Sequence, residues 1–409
     1  MMSAMRDSRM RVLVGYAHYT DRLSYYDDWL DAFTGSSQFE AVPLNVVASS
    51  TKANLPGLLR NVDAVVLLHS TNGDTTAYIE PHAEAFARRN VPLLTFVGNE
   101  VNIPGSPIAD KRKLFDIIKP DYIATQLLLE AGQYLFADVA KRGVVAIPHA
   151  LNTAAYKPTR SLDERQLDVG ARAAHYLPHL GDSDRNRLLQ WFAENGPSRG
   201  LHVEISDKRL DRKGWADYLN NCKATVATEA GGWFLERDDA TVNAIRTYVL
   251  SNSTGYVIKN DSAIRWLGHR MPWWVRSMLR NTLWSGPIKH EAVVNERVDP
   301  DDILERFFAG RERSPFYSKC ISSRHFDAAG TKTCQIMFRG RFNDILNADE
   351  HYIALESDFS NINAVLATFR DSAKRQEIAE RTYDLVLSKH TYPQRMQQIY
   401  DLLSAVASK

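Results

Sequence analysis

The sequence of 409 residues has few cysteines and no excess of charge of either sign. Its three cysteines, Cys222, Cys320 and Cys334, lie far apart without metal-ligand spacing, which predicts a reducing compartment and no structural zinc. Fifty basic residues stand against forty-nine acidic ones, and the resulting net charge of +1 gives no reason to expect a nucleic acid partner. Internal repeats and low-complexity segments are also missing from the sequence.

Long hydrophobic runs are absent as well. No apolar stretch approaches the ~20 residues that a membrane-spanning helix needs, and the polar beginning, MMSAMRDSRM, lacks the pattern of a secretory signal. We therefore expect a cytoplasmic protein without an integral membrane segment. At 409 residues the chain is long enough for two domains of roughly 150 to 250 residues.

Short apolar runs alternate with helical patterns over the first 150 or so residues, and this alternation predicts a parallel sheet with helices on both faces. The predicted strands are 11–16, 41–47, 64–69, 92–97, 122–125 and 144–147, and a longer helix is predicted at 78–89. The turn after the first strand contains a single glycine, Gly15. The G-x-G-x-x-G fingerprint of dinucleotide-binding proteins is therefore missing, and a nicotinamide enzyme is disfavoured.

Polar side chains follow several of these strands at their carboxyl ends, where ligands of parallel sheets bind. They are His18, His69, Asp74, Asn99 and Glu100. Each of them alone is explained as well by helix capping or turn formation, but their common edge of the sheet favours a shared site. The basic run that begins at Lys111 is interpreted as a solvated helix face.

The stretch 322–336, SSRHFDAAGTKTCQI, combines the features of a phosphate-binding helix start. A helix is predicted to begin near Arg324 after two hydroxyl residues, and its unpaired backbone N–H groups together with this arginine suit a phosphate. Asp327, one turn further on, is placed to accept hydrogen bonds from the two hydroxyls of a ribose. The alternative is an ordinary helix start with an aspartate in its favourable first turn.

Two further patterns in the second half concern acidic residues. Glu229 and Gly231 follow a predicted strand at 224–228 and suit close approach to a sugar or phosphate, although a plain turn is an alternative. The D-x-D patterns at 182–184 and 299–301 are interpreted as helix N-caps. We therefore predict no cofactor and no essential divalent metal.

Tryptophan and basic residues interleave within residues 263–284. This composition is typical of an interfacial membrane anchor or of an acceptor-binding surface, because indole prefers the headgroup boundary and arginine binds lipid phosphate. The residues that would form this surface are Trp266, Arg270, Trp273, Trp274, Arg276 and Arg280. The alternative is a pair of buried helices with stacked tryptophan and arginine, divided at Pro272.

The segment 146–158, AIPHALNTAAYKP, resembles the interdomain segment of GT-B glycosyltransferases, whose usual form is IPNGVDTxxFxP. His149 stands where asparagine is common in that family. The pattern HYIALESDFSNI at 351–362, followed by KHTYPQR at 389–395, resembles the ending of the same enzymes. The blocks FVGNE, ATQ and PHALN look closest to bacterial glycosyltransferases of polysaccharide and glycan assembly, of the retaining group 1 type.

This resemblance implies an α/β GT-B fold, in which two Rossmann-like domains face each other across a cleft. It implies an acceptor-side domain at 1–158 and a nucleotide-sugar donor domain at 159–388, with a helical, aromatic-rich insertion at about 233–315. The last segment, 389–409, is expected to form a helix that crosses back to the first domain.

The implied activity is metal-independent transfer of a sugar from a UDP-, GDP- or dTDP-linked donor to a glycan or lipid-linked acceptor. Its fixed N–H groups and cations would stabilise the departing nucleoside diphosphate. The implied donor residues are Arg172, Gly231, Ser322, Ser323, Arg324, Asp327 and, more weakly, Lys332. The implied acceptor-side residues are His69, Asp74, Asn99 and His149.

The catalytic residues follow less directly from the resemblance. If the reaction inverts the anomeric centre, His18 or Glu100 is the candidate base, whereas a retaining reaction needs none. The family's Glu-x7-Glu motif does not occur as written, because Lys319 stands at its first position and Asp327 at its second. Glu229 is the candidate to replace the first glutamate in space.

Two other functions remain open at this point. A sugar-nucleotide epimerase of the same fold would bind the donor without an acceptor, and the altered acidic motif is compatible with a non-catalytic nucleotide-sugar or glycan-binding protein. We expect the protein in the cytoplasm, and the tryptophan-rich stretch adds the expectation of contact with the inner face of the membrane.

Overall fold

The computed structural model describes residues 9–18, 24–252, 256–258, 288–290 and 298–407. Two mainly parallel sheets with helices on their faces organise these residues. The predicted α/β class is therefore confirmed. No helix among the described residues has the length and apolar character that crossing a membrane requires.

The first sheet is built from the first six strands of the chain, all parallel. They are β1 (Met10–Tyr16), β2 (Phe39–Asn45), β3 (Ala64–Leu67), β4 (Leu93–Phe96), β5 (Tyr122–Thr125) and β6 (Gly143–Ala146). Their order in the sheet is β2-β1-β3-β4-β5-β6. All four residues of β3 and of β4 are buried, as expected for central strands that are covered by helices on both faces. The helices of this half are α1 (Ser24–Thr34), α2 (Thr51–Leu59), α3 (Ala83–Ala87), α4 (Ile108–Ile118) and α5 (Leu129–Phe136).

The second half contains a five-stranded parallel sheet and two short strand pairs. Its strands are β7 (Leu167–Arg172), β8 (Val203–Ser206), β9 (Cys222–Ala227), β10 (Ala230–Gly231), β11 (Tyr256–Ile258), β12 (Ile288–His290), β13 (Lys319–Cys320), β14 (Cys334–Phe338) and β15 (Ile353–Leu355). The large sheet has the order β15-β14-β9-β7-β8, while β10 pairs with β13 and β11 pairs with β12.

The described helices of the second half cover this sheet and close the chain. They are α6 (Asp184–Asn195), α7 (Arg212–Leu219), α8 (Ala240–Ser251), α9 (Pro300–Phe308), α10 (Ser323–Gly330), α11 (Ile362–Arg370), α12 (Ser372–Lys389) and α13 (Tyr392–Ala407). Asp299 caps α9 as predicted, since its carboxylate accepts a hydrogen bond from the backbone N of Asp301 at 3.0 Å.

The helical segment predicted near 78–89 is present as a 3-10 turn, Glu80–His82, that continues into α3. One expectation about the first domain was wrong. Lys111 does not lie on a solvated face, because its side chain is fully buried. Its Nζ donates hydrogen bonds to the carbonyl oxygens of Gly98 and Asn99, at 2.6 and 2.7 Å, and these bonds satisfy the buried ammonium.

The last helix, α13, packs into the core of the first sheet. Met396, Ile399 and Leu403 are buried in one apolar cluster with Val12 and Trp29 of the first domain. The chain therefore returns to its first sheet after completing the second. The tryptophan and arginine residues at 266, 270, 273, 274, 276 and 280 lie outside the described residues.

Candidate active site

A cleft of about 440 Å³ lies between the carboxyl ends of the two large sheets. Its first-domain wall consists of residues that follow β3, β4, β5 and β6, namely His69, Gly98, Asn99, Glu100, Val101, Gln126, Leu127 and His149. Its second wall comes from the loops after β7, β8 and β9 and from the starts of α6 and α10. The sequence predicted much of both walls, because parallel strands bring their carboxyl ends to a common edge.

Helix α10 presents its N-terminus to the cleft, with Ser322, Ser323, Arg324 and Asp327 all lining it. Ser322 is the N-cap residue, and its backbone N donates to His325 Nδ1 at 2.9 Å. The amides of the next residues have no acceptor within the helix, since an α-helix leaves its first N–H groups unpaired. The helix start thus offers N–H donors and one arginine to an anion, as the sequence predicted.

Asp327 is buried in this wall and is only 5% exposed. Its Oδ2 accepts a hydrogen bond of 3.0 Å from the indole Nε1 of Trp215, a partner on α7 that the sequence did not reveal. Burial, and after it the charge of Asp28, raises the pKa of Asp327 well above its usual range. The group is therefore suited to hydrogen bonding with neutral hydroxyls.

Arg185, in the first turn of α6, is a site residue that the sequence analysis missed. Its guanidinium lies 3.6 Å from the ring centroid of Tyr176 and donates to the tyrosine hydroxyl at 2.6 Å. Burial lowers its pKa to about 10, so it remains charged at neutral pH. A basic residue in the first turn of a helix is unfavourable for the helix dipole, and this feature of the sequence could have indicated Arg185 as a site residue.

Arg172 also lines the cleft, but its charge already has a partner. Its guanidinium forms an ion pair with Glu204 on the neighbouring strand β8 and lies 4.4 Å from the ring centroid of Tyr218. Its contact with a donor diphosphate stays a prediction. Gly231 borders the same wall with φ of 104°, and a Cβ there would lie 2.5 Å from the carbonyl oxygen of Ser318, so only glycine fits.

Lys319 stands at the first position of the altered acidic motif and does not line the cleft. Its Nζ lies 2.6 Å from Asp182 Oδ2 and 2.9 Å from Asp184 Oδ2, and it packs over the ring of Trp233. The side chain is only 4% exposed, so this ion-pair cluster fixes the lysine. Asp182 also accepts a hydrogen bond from the backbone N of Asp184, the first residue of α6, whose N-cap position is occupied by Ser183.

Glu229 lies behind the cleft surface. Its carboxylate accepts hydrogen bonds from the backbone N of Phe342 at 2.6 Å and from the hydroxyl of Tyr317. Burial raises the pKa of this carboxyl group. The structure therefore gives both oxygens of Glu229 hydrogen-bond partners outside the cleft lining, and its replacement of the first glutamate of the motif stays a prediction.

The first-domain wall contains two stacked imidazoles, His69 and His149, with centroids 5.1 Å apart and planes inclined by 22°. Trp29 Nε1 donates to His149 Nδ1 at 3.0 Å, and no hydrogen bond to His69's ring nitrogens is found among the described residues. Burial lowers the pKa of His149 to about 3 and that of His69 well below its usual range. Both rings are therefore neutral at physiological pH.

Glu100 lines the cleft with both carboxylate oxygens engaged. They accept from the hydroxyl of Thr125 and from the backbone N of Gln126, the latter at 2.8 Å. Burial raises the pKa of Glu100 to about 7. These bonds hold the loop after β5 and leave the carboxylate little freedom to act as a base.

Besides Glu229, three predicted residues lie outside the cleft lining. Asp74 stands behind Asn99, whose Nδ2 donates to it at 3.0 Å, and His18 is exposed beyond β1. Lys332 lies on a separate cavity of about 420 Å³, with its Nζ 3.8 Å from Glu380. Lys332 follows α10 in a left-handed conformation, which directs the chain away from the cleft.

Comparison with known proteins gives a fold and a family match. The chain resembles HepE from Anabaena in complex with UDP-glucose and sucrose-phosphate synthase from Thermosynechococcus elongatus, each with a TM-score of 0.50 and 10% sequence identity. Each comparison covers 97% of this chain and 100% of the other, and at this identity it shows the fold alone. Residues 264–401 match the family described as "Glycosyl transferase-like". No curated protein matches the sequence.

The fold defines a two-domain protein of the GT-B class. The family match includes α10 and the site residues on it, over about a third of the chain. The GT-B fold predicted from the interdomain segment and the chain ending is therefore confirmed.

Asp327 makes stability depend on pH in a defined direction. Because its pKa is raised in the folded state, its contribution is complete below the usual value of 3.8 and is lost as the pH rises through the folded-state pKa. We expect Asp327→Asn, which keeps an oxygen for Trp215, to raise the melting temperature relative to wild type by an amount that grows from pH 4 to pH 8. Thermal unfolding across this range measures it, with the exposed Asp401→Asn as control. A pH-independent difference would contradict the buried, raised-pKa carboxyl group.

Proposed function

We propose that the protein transfers a glycosyl group from a nucleoside-diphosphate sugar, bound by the second wall of the cleft, to an uncharged hydroxyl acceptor on the first wall. The observation that carries this proposal is the proximity of Arg185 and Arg324. Both residues line the same cleft, and the charge of Arg324 adds to the lowering of the pKa of Arg185 that burial causes first. Two arginines gathered at helix starts form a site suited to an anion.

The distribution of charge over the two walls supports the same assignment. The basic residues of the second wall are Arg172, Arg185, Lys208, Arg209 and Arg324, against the acidic Asp207 and Asp327. Among the described residues of the first wall, Glu100 is the charged side chain, and the two histidines beside it are neutral. A diphosphate therefore fits the second wall, while the first offers hydrogen-bonding groups to sugar hydroxyls.

Departure of the nucleoside diphosphate is the step that this arrangement can assist. Negative charge grows on the leaving phosphate as the glycosidic bond breaks, and fixed cations with helix N–H groups stabilise it in place. Arg185, Arg324 and the start of α10 supply these groups. Asp327 would hold a hydroxyl of the nucleotide, and we propose that no divalent metal is needed for the transfer.

HepE, which shares this fold, is known in complex with UDP-glucose. We therefore propose UDP as the first nucleotide to test, beside GDP, dTDP and CMP. We expect one nucleoside diphosphate at a hundred times its dissociation constant to stabilise the wild type by ~2.7 kcal/mol in thermal unfolding. Arg324→Ala should weaken its binding roughly tenfold or more, as for loss of a charge-assisted hydrogen bond.

The control for this screen is Arg370→Ala, an exposed arginine of the second domain. Equal binding by Arg324→Ala and wild type would remove the assigned site. Nucleotide binding that Arg324→Ala weakens, in a wild type that shows no transfer or hydrolysis, would instead favour a non-catalytic binding protein.

We also propose that configuration is retained. The three candidate bases support this, because Glu100 and Glu229 are held by structural hydrogen bonds and His18 does not line the cleft. With UDP-α-glucose, NMR of the first turnover should show an α-configured product. A β-configured product would require a base in the cleft, and Glu100→Gln would then be the variant to examine.

A role in polysaccharide assembly with contact to the membrane surface is proposed from the tryptophan- and arginine-rich residues 263–284. We expect the wild type to float with vesicles that contain anionic lipid. A variant with Trp273, Trp274, Arg276 and Arg280 changed to serine should stay in the soluble fraction. Identical flotation of the two proteins would exclude this membrane surface.

A further inference from the structure

A short segment of the second half, residues 235–241, lies on the first domain, and we call it the strap. It connects β10 to α8. Leu235, only 6% exposed, belongs to the same buried apolar cluster as Ile108 and Phe115 of α4. The strap is therefore anchored in the core of the domain opposite to its own sheet.

Asn102 of the first domain holds the strap by three hydrogen bonds. Its Oδ1 accepts from the backbone N of Glu236 at 3.0 Å, and its Nδ2 donates to the carbonyl oxygen of Glu236 at 2.9 Å. The same Nδ2 donates to Asp239 Oδ1 at 2.7 Å. The side chain of Asn102 thus both accepts from and donates to the backbone of the strap, and it also donates to a carboxylate of the strap.

The second oxygen of Asp239 caps a helix of the other domain. Its Oδ2 accepts from the backbone N of Ala109 at 2.8 Å, in the first turn of α4. Helix α4 has no side-chain cap of its own, because Pro107 occupies the N-cap position. Asp239 is 1% exposed and adopts φ of 55°, so its backbone is held in a left-handed conformation that points the carboxylate at this helix start.

Helix α4 in turn fixes part of the cleft. Lys111, in its first turn, donates hydrogen bonds to the carbonyl oxygens of Gly98 and Asn99. Burial lowers the pKa of Lys111, and the charges of the nearby Glu100 and Asp239 act against this lowering. The loop 98–101 lines the cleft, and Asn102 follows it directly. The strap therefore holds this loop at its end, through Asn102, and from behind, through α4.

We propose that Asp239 is a positioning residue for the acceptor wall, which binds its substrate in full only when the strap of the second half is docked on the first domain. Asp239 does not line the cleft, and its effect passes through Asn102 and α4 to the loop 98–101. The inference rests on the proposed function in one respect, that this loop is taken as part of the acceptor side.

The test compares Asp239→Ala and Asp239→Asn with Asp238→Ala, which removes the same charge from an adjacent exposed position. With UDP-glucose as donor and octyl glucoside as acceptor probe, Asp239→Ala should raise the KM for the acceptor roughly tenfold, the size of effect that loss of a helix cap produces. The kcat and the dissociation constant for UDP should change little. Asp239→Asn should recover part of the loss, because its oxygen can still accept from one of the two donors. An unchanged acceptor KM in Asp239→Ala would overturn the proposal.

Hydrogen exchange of the free protein separates the strap from the proposed reaction. In Asp239→Ala, amides of 98–102 and 109–112 should exchange roughly tenfold faster than in the wild type, while those of α10 keep their rates. If the alanine variant does not fold, Asp239→Asn takes its place, and a smaller increase of the same exchange rates is expected. Asp238→Ala should match the wild type. Unchanged exchange at 98–102 would overturn the proposal whatever the activity. If Asp239→Ala exchanges faster at 98–102 although the wild type transfers no sugar, the result supports the positioning role of Asp239. It then counts against the proposed function alone.

Discussion

The facing of the two sheets depends on a backbone crossing at Leu151. The backbone N of Leu151 donates to the carbonyl oxygen of His390 at 2.8 Å, and its own carbonyl accepts from the backbone N of Tyr392 at 3.2 Å. The chain thus leaves the first sheet and returns to it at one point. Gly330, at the end of α10, packs so closely that a Cβ would lie 2.3 Å from Leu151. The helix start that faces the cleft is therefore positioned by the linker itself.

A second linkage lies beside the crossing. Arg212 of α7 reaches the first domain and bridges Asp28 and Asp31 of α1, at 3.2 and 2.7 Å. Asn152 also donates to Asp28 at 2.7 Å. Burial raises the pKa of Asp28 to about 6, and its charge in turn acts on Asp327 in the cleft. The ionisation of Asp28, beside the crossing, therefore affects that of Asp327 in the cleft wall, whereas the strap joins the domains at the loop 98–101.

The chemistry of the cleft follows from gathering basic side chains on one wall and neutral, buried rings on the other. Arginines that lie close together favour an incoming anion, because association relieves their repulsion. Neutral imidazoles have no such electrostatic preference for an anion. Under the proposed function, this division gives the two substrates separate walls, and approach of the acceptor to the donor follows from how the domains face each other.

The sequence by itself determined the parallel sheets, the helix start at Ser322 and the GT-B fold, since strand periodicity, capping residues and the interdomain segment are local patterns. It also placed His69, Asn99 and Glu100 at one sheet edge. Only the tertiary structure decided which charges are buried or paired: it hid Lys111, gave Lys319 to Asp182, and brought Arg185 to Arg324. These pairings join residues far apart in the chain, and burial, which sets the cost of a charge, is a property of the packed whole.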